Sequence, residues 1–253
     1  MVFYFTATGN SLYAARQLDG ECCSISQEIH GEMKYKAAQI GIVCPVYGHE
    51  MPQLVRDFIE KASFETDYLY LILTYGNRHG GAAELADNFA KSVGRHFDYI
   101  NVLLIADNFL PAFDMSEQAR LDKHIPQQLE KIRSDISAHR RFIAEVNESD
   151  REVHRQFLEH ILKMPADAFK KLYRITDKCI GCGICTKVCP TGCFKVKNQR
   201  AERDSGKCIS CMACIHACPE TAIQLNVSEP NRAARYRNEN ISLMDIIAAN
   251  WQK

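Results

Sequence analysis

The 253-residue chain carries the run C-x-x-C-x-x-C-x-x-x-C-P twice. Cys179, Cys182, Cys185 and Cys189 recur 29 residues later as Cys208, Cys211, Cys214 and Cys218, and the two runs end in Pro190 and Pro219. The flanks repeat as well, Lys178-Cys179-Ile180 matching Lys207-Cys208-Ile209. Few folds can use such a stretch. Three thiolates at a three-residue step wrap three corners of one iron–sulfur cube in a tight loop. The fourth Cys stands four residues on, where it is expected to start the next short helix and point away from that cube. A pair of structural zinc sites would use separated C-x-x-C knuckles and has no need of a third Cys at the same step followed by C-P. Gly181 and Gly183 let the backbone turn closely around the first cube. Cys193 has no counterpart, because Ala222 stands at its equivalent position. It reads as a small packed thiol, with a redox or ligand-swap role as the alternative.

The segment 173–226 resembles a bacterial bis-[4Fe-4S] ferredoxin, which implies a small α+β domain whose clusters replace most of the hydrophobic core. The resemblance implies that the fourth Cys of each run serves the other cube, which assigns Cys179, Cys182, Cys185 and Cys218 to cluster one, and Cys208, Cys211, Cys214 and Cys189 to cluster two. Nine of the twelve cysteines lie in this dense stretch; the other three, Cys22, Cys23 and Cys44, fall in expected strands and read as buried small residues. Metal-ligating cysteines suit a reducing compartment. The start Met1-Val2-Phe3-Tyr4-Phe5 lacks the basic and long apolar regions of a signal peptide, and no apolar run is long enough to span a bilayer. A cytoplasmic location without a membrane span is the expectation.

The first half alternates strand-like and helix-like runs. Strands are expected at Val2–Phe5, Cys22–Ser26, Ile40–Val46, Tyr68–Thr74 and Tyr99–Ala106, with helices over Ser11–Leu18, Gln53–Ala62 and Ala82–Val93. This is the pattern of an α/β fold whose parallel sheet is covered on both faces. Ligands in such sheets bind at the carboxyl ends of the strands. The loop after the first strand reads Thr6-Ala7-Thr8-Gly9-Asn10-Ser11 and runs into a helix N-terminus, chemistry suited to a phosphate; an ordinary N-cap at Asn10 or Ser11 is the structural alternative. Two further strand ends carry Pro45-Val46-Tyr47-Gly48-His49 and Tyr75-Gly76-Asn77-Arg78-His79-Gly80. There an aromatic could stack on a flavin ring while glycine lets the backbone approach it. No G-x-G-x-x-G occurs, so no NAD site is indicated.

As a set, residues 1–111 resemble the flavodoxin-like domain. The resemblance implies a five-stranded parallel sheet in the order 2-1-3-4-5, with FMN held by Thr6, Ala7, Thr8, Gly9, Asn10, Ser11, Pro45, Tyr47, Gly48, Tyr75, Gly76, Asn77 and Gly80. The two Tyr-Gly loops differ from those of free flavodoxins. Together with the cysteine runs and Arg235-Tyr236-Arg237, they are similar to fused flavodoxin–ferredoxin proteins of anaerobes. That resemblance implies electron transfer among FMN, two [4Fe-4S] clusters and a redox protein partner. An FMN-dependent reductase of a small substrate, with His49, His79 or Tyr75 at an open pocket, is the alternative, and a redox sensor a further one. No catalytic triad, paired-carboxylate site or metallohydrolase arrangement is present, so no catalytic residue is assigned.

Residues 112–172 contain no Gly and only Pro126 and Pro165. Leu121, Ile125, Leu129, Ile132 and Ile136, then Val153, Phe157, Ile161 and Met164, recur at helical steps. Two amphipathic helices are expected, broken near Asn147–Asp150 with a kink or restart at Pro126, as an extension or bridge. The tail 227–253 should carry a short helix over Ile241–Trp251, docked on the body or contributing to a dimer. Oligomeric state is not indicated. Net charge is zero, from 31 basic and 31 acidic residues, which argues against a polybasic nucleic-acid binder. The balance hides a split: residues 1–111 hold 8 basic and 13 acidic side chains, residues 173–226 hold 8 and 4.

Overall fold

Strands β1 (Val2–Tyr4), β2 (Cys22–Ser24), β3 (Gln39–Pro45), β4 (Tyr68–Tyr75) and β5 (Tyr99–Leu104) form where the apolar runs predict them. Five consecutive residues of β3 and seven of β4 are buried, as a sheet covered on both faces requires. The computed structural model describes every residue except Asp19, Lys170 and Lys253. It divides the chain into two compact units. The first is Met1–Phe5, Asn10–Ala106 and Asp122–Lys163; the second is Thr6–Gly9, Asp107–Leu121 and Met164–Lys253.

In the first unit the sheet order is β2-β1-β3-β4-β5, extended by a sixth strand, β6 (Phe142–Ile143), and every neighbouring pair is parallel. The expected order 2-1-3-4-5 holds for five strands, and the sheet is corrected from five to six. β6 comes from the 112–172 stretch, where only helices were expected; it pairs Phe142 with Tyr99 and Ile143 with Ile100. Two residues are too few to produce an alternation signal. A second small sheet also escaped the pattern. Lys34–Lys36 pairs in parallel with Ser63–Glu65. Tyr35 and Phe64 there join Phe3 and Phe58 in an aromatic cluster, with Phe3 and Tyr35 centroids 4.4 Å apart.

Helices α1 (Asn10–Arg16), α2 (Gln53–Lys61) and α3 (Ala82–Ser92) follow β1, β3 and β4. α2 buries Val55, Phe58 and Ile59, and α3 buries four alanines. Helix α4 (Ile125–Ser137) places Pro126 in its first turn, where a missing N–H leaves no bond unmade, and buries Leu129, Ile132 and Ile136. Helix α5 (Glu148–Lys163) opens where the break was expected. Asn147 Oδ1 accepts the Asp150 N–H at 2.9 Å, and Glu148 and Asp150 suit the positive end of the helix. No residue of α5 is fully buried; Leu158 and Leu162 are exposed.

In the second unit β7 (Tyr173–Ile175) pairs antiparallel with β10 (Ile223–Leu225), and β8 (Phe194–Lys197) with β9 (Arg200–Arg203). The β8–β9 turn is Asn198-Gln199, both with positive φ, as a two-residue hairpin of matching twist demands. Short helices α6 (Ile184–Lys187) and α7 (Ala213–Ala217) carry the third Cys of each run, Cys185 and Cys214, and the fourth, Cys189 or Cys218, lies just past the helix end instead of opening a helix as expected. The repeat extends to the backbone. Gly181, Gly183 and Gly192 have positive φ, and so do Ser210, Met212 and Thr221, each 29 residues on. Helix α8 (Leu243–Asn250) is closed by a capping box between Ser242 and Asp245. Among the described residues, no helix is long and apolar enough to cross a membrane.

Candidate functional site

A pocket in the second unit is lined by Cys179, Cys182, Cys185 and Cys218. Three come from the first run and one from the second. Ala201 and Ile223 close its wall. Each run shapes its loop through left-handed residues. At Gly181 the reason is also steric: a Cβ there would lie 2.5 Å from the Gln199 carbonyl oxygen in the β8–β9 turn.

The remaining four cysteines also converge. Burial, then the neighbouring Cys211, Cys189 and Cys208, push the Cys214 thiol well up, and burial with Cys189 and Cys208 does the same to Cys211. Around the first pocket, burial followed by Cys182, Cys179 and Cys218 raises Cys185 to about 12. Thiols crowded in this way resist losing their protons one beside another unless a cation compensates, which is the electrostatic setting that iron supplies. Backbone N–H groups already face the sulfurs. Ala201 donates to Cys179 Sγ at 3.4 Å, Ala222 to Cys218 Sγ at 3.2 Å and Cys193 to Cys189 Sγ at 3.3 Å. Such bonds favour the thiolate form and tune a cluster's potential. The donor set is thiolate sulfur with main-chain N–H groups, the surroundings that iron–sulfur clusters take.

Cys193 stands 3.1 Å, sulfur to sulfur, from Cys189. Its thiol hydrogen bonds lower Cys189 and Cys208 to about 6 and raise Cys193 itself.

The loop Thr6–Gly9 is buried, and its polar groups have partners inside the second unit. Thr6 Oγ1 accepts the Gly9 N–H at 3.0 Å; Thr6 O accepts Asn250 Nδ2 at 2.9 Å. Thr8 Oγ1 accepts Asn108 Nδ2 at 2.7 Å, and Thr8 O accepts the Asn238 N–H at 2.9 Å. A Cβ on Gly9 would lie 2.9 Å from Ile241 Cβ. Asp107 serves a turn, accepting the Phe109 N–H, whereas Asn108 reaches across to Thr8. The Asn108 carbonyl in turn faces His216 Nε2 at 2.9 Å, and Tyr236 N–H donates to His216 Nδ1 at 3.1 Å. Burial lowers the His216 pKa to about 4. Beside Tyr236, Arg235 pairs with the fully buried Glu229 at 3.1 Å. His216 carried no signal of its own in the sequence. The repeat places it opposite Lys187, and that mismatch is the one clue.

In the first unit, Asn10 and Ser11 sit at the start of α1. Asn10 Nδ2 donates to Ala106 O at 2.9 Å and Ser11 Oγ meets Thr74 Oγ1 at 2.9 Å, tying the helix start to the ends of β4 and β5. Tyr47 stands edge-on to Phe5 with centroids 6.4 Å apart, and Tyr75 edge-on to His79 at 5.0 Å. Pro45 ends β3 and Val46 N–H bonds to Thr74 O, so the two Tyr-Gly loops leave the sheet side by side. Lys123 Nζ holds the Gly76 carbonyl at 2.7 Å, while Asn77 is exposed. The structure thus gathers Asn10, Ser11, Tyr47 and Tyr75 at the carboxyl ends of the strands. The glycines, however, abut protein. A Cβ on Gly48 would lie 2.8 Å from the Phe157 ring and one on Gly80 2.3 Å from His49. His49 also meets His154, with Nδ1 atoms 3.4 Å apart. Helix α5 therefore covers these loops through Phe157 and His154. A flavin fits the strand ends by residue type but meets Phe157 and His49 at the two glycines.

Residues 171–219 match the family model described as the 4Fe-4S dicluster domain. No curated protein matches the chain. A solved structure described as a "Putative flavoprotein" from Bacteroides uniformis is similar over 41% of this chain and 88% of its own, at 18% identity and a TM-score of 0.32. At that score the likeness does not define a fold, which rests here on the strand order.

Proposed function

We propose that the chain is an electron-transfer iron–sulfur flavoprotein. It would pass electrons singly through two [4Fe-4S] clusters, held by Cys179, Cys182, Cys185 and Cys218 and by Cys208, Cys211, Cys214 and Cys189, to or from an FMN at the strand ends. The carrying observation is the pocket lined by three cysteines of one run and the last of the other. The dicluster family match supports the same chemistry. FMN is proposed from the order 2-1-3-4-5 within the sheet and from the start of α1, with Asn10, Ser11, Tyr47 and Tyr75 as the residues that would bind it. A flavin would supply storage of one or two electrons. A redox protein would be the external donor or acceptor. The carrier reading rests on the dicluster family match, which points to electron transfer and to no small substrate.

The test is anaerobic purification of the full chain with iron, sulfide and flavin analysis. The expected result is about eight iron and about eight sulfide per chain, as two cubes require, and one FMN on reconstitution. Bound zinc without sulfide overturns the cluster assignment. Intact clusters in a chain that takes up no FMN overturn the flavin assignment alone.

A further inference from the structure

His216 lies on α7 between Cys214 and Cys218, one ligand of each proposed cluster. Nothing in the cysteine motif asks for it. At the equivalent place in the first run stands Lys187, an exposed side chain lying over the Trp251 ring. The imidazole has two fixed partners. Tyr236 N–H donates to Nδ1, so Nδ1 is the acceptor; Nε2 carries the proton and donates to the Asn108 carbonyl. Asn108 then donates through Nδ2 to Thr8 Oγ1 at 2.7 Å. Two residues beyond Tyr236, Asn238 N–H holds the Thr8 carbonyl at 2.9 Å. Both arms of the network that grips Thr8 therefore start from one side chain on the cysteine-bearing helix. Helix α7 has only five residues, too few to be stable by itself, and it carries Cys214 with Cys218 at its C-terminal end, so the metal those cysteines hold helps to fix its position.

We propose that His216 is a positioning residue through which cluster occupancy orders the loop Thr6–Gly9. With the clusters in place, α7 is fixed, and His216 presents Nε2 to Asn108, which holds the Thr8 hydroxyl, and Nδ1 to Tyr236, two residues before the Asn238 N–H that holds the Thr8 carbonyl. Without them, α7 loosens and both holds on Thr8 go together. The loop that leads into α1 is then available in its folded form only in a chain that has acquired its iron. Linkage makes the effect reciprocal: an anion bound by the loop stabilises the clusters. The inference rests on the cluster reading of the cysteines and is independent of whether the anion is FMN.

The experiment is amide hydrogen exchange, read by mass spectrometry on N-terminal peptides of the full, iron-loaded chain without added flavin. Iron and sulfide are assayed on each sample. His216→Asn keeps an acceptor near the Nδ1 position and loses the reach to Asn108. His216→Gln keeps a donor near the Nε2 position. Asn108→Ala keeps the carbonyl that His216 uses and cuts the bond to Thr8, away from the cysteines. With full iron, His216→Asn and Asn108→Ala should exchange the Ala7–Gly9 amides about tenfold faster than wild type, as expected for losing an intramolecular hydrogen bond. His216→Gln should stay within about threefold. Removing iron from wild type should speed the same amides, and removing it from Asn108→Ala should add little. Wild-type protection in iron-loaded Asn108→Ala overturns the proposal, including where His216→Asn fails to take up iron. A chain with no iron or sulfide overturns the cluster reading instead, and a chain with clusters and no flavin leaves this test unchanged.

Discussion

The backbone N–H of Ala222 donates to the Cys218 sulfur at 3.2 Å. Twenty-nine residues upstream Cys193 makes the same bond to Cys189 at 3.3 Å. The two bonds are one feature of the repeat, and what it uses at this position is the main chain. The Cys193 thiol is therefore dispensable for assembly. Cys193→Ala should retain both clusters and full iron, with a shifted potential for cluster two, because it removes a thiol 3.1 Å from Cys189. Loss of half the iron would instead make Cys193 a ligand.

The crossed ligand sets give a second prediction. Cys218→Ala should deplete the cluster of the first run, and Cys189→Ala that of the second, although each residue lies in the opposite run. Low-temperature EPR of the reduced variants, combined with substitution of Cys182 or Cys211 as single-run references, separates this from uncrossed pairing. Under uncrossed pairing, Cys218→Ala would match Cys211→Ala.

The repeat also sets a cost. Ser210 and Met212 adopt the left-handed conformation that Gly181 and Gly183 adopt in the first run. A side chain there costs about 1–2 kcal/mol, partly offset by the extra freedom that glycine has in the unfolded chain. Ser210→Gly should therefore stabilise the protein by up to about 1 kcal/mol, seen as a higher urea midpoint for loss of the visible cluster band. Gly181→Ala should do the reverse by about 2 kcal/mol or more, because its Cβ also meets the Gln199 carbonyl. Equal midpoints for Gly181→Ala and wild type would sink this account of the first loop.

These features were legible in the sequence to different degrees. The cysteine spacing reports a local constraint, one loop around one cube, and needs no tertiary information. The continuous apolar runs of β3 and β4 likewise identify buried parallel strands. Legibility ends where a role depends on a distant partner. Phe142–Ile143 is a strand only because Tyr99 and Ile100 lie beside it. Asn108 looks like a turn residue until Thr8 is placed across from it. Gly48 and Gly80 signal close approach, but the approaching groups are Phe157, more than a hundred residues away, and His49. Spacing announces that a neighbour is close without naming it.

That substitution of neighbours yields a prediction about flavin binding. Phe157 occupies the space over Gly48, so a flavin ring on this loop must displace it. Phe157→Ala removes the competitor while leaving the Arg151–Glu84 pair at 2.6 Å to hold α5. FMN should bind about three- to tenfold more tightly, since less of the binding free energy goes into opening the loop. Titration of flavin fluorescence measures this. Weaker binding would mean that Phe157 contributes to the flavin site.

The His49–His154 contact gives a pH dependence. Burial, then the positive potential of His154, His79 and Arg78, lowers the His49 pKa, against a smaller opposing pull from Asp150. In the fold His49 is thus neutral at a pH where it would already be protonated in the unfolded chain. The unfolded state binds more protons in that window, so stability rises with pH across it and is lost as pH falls below the ordinary histidine range. Between about pH 7.5 and pH 5.5, a span that brackets the unfolded histidine pKa, wild type should lose more of its urea midpoint than His49→Gln does. Far-ultraviolet circular dichroism of the iron-loaded proteins reports the unfolding, and iron release measured in the same samples separates acid loss of the clusters from the contribution of His49. Parallel declines in the two proteins would show that protonation elsewhere sets the acid limit.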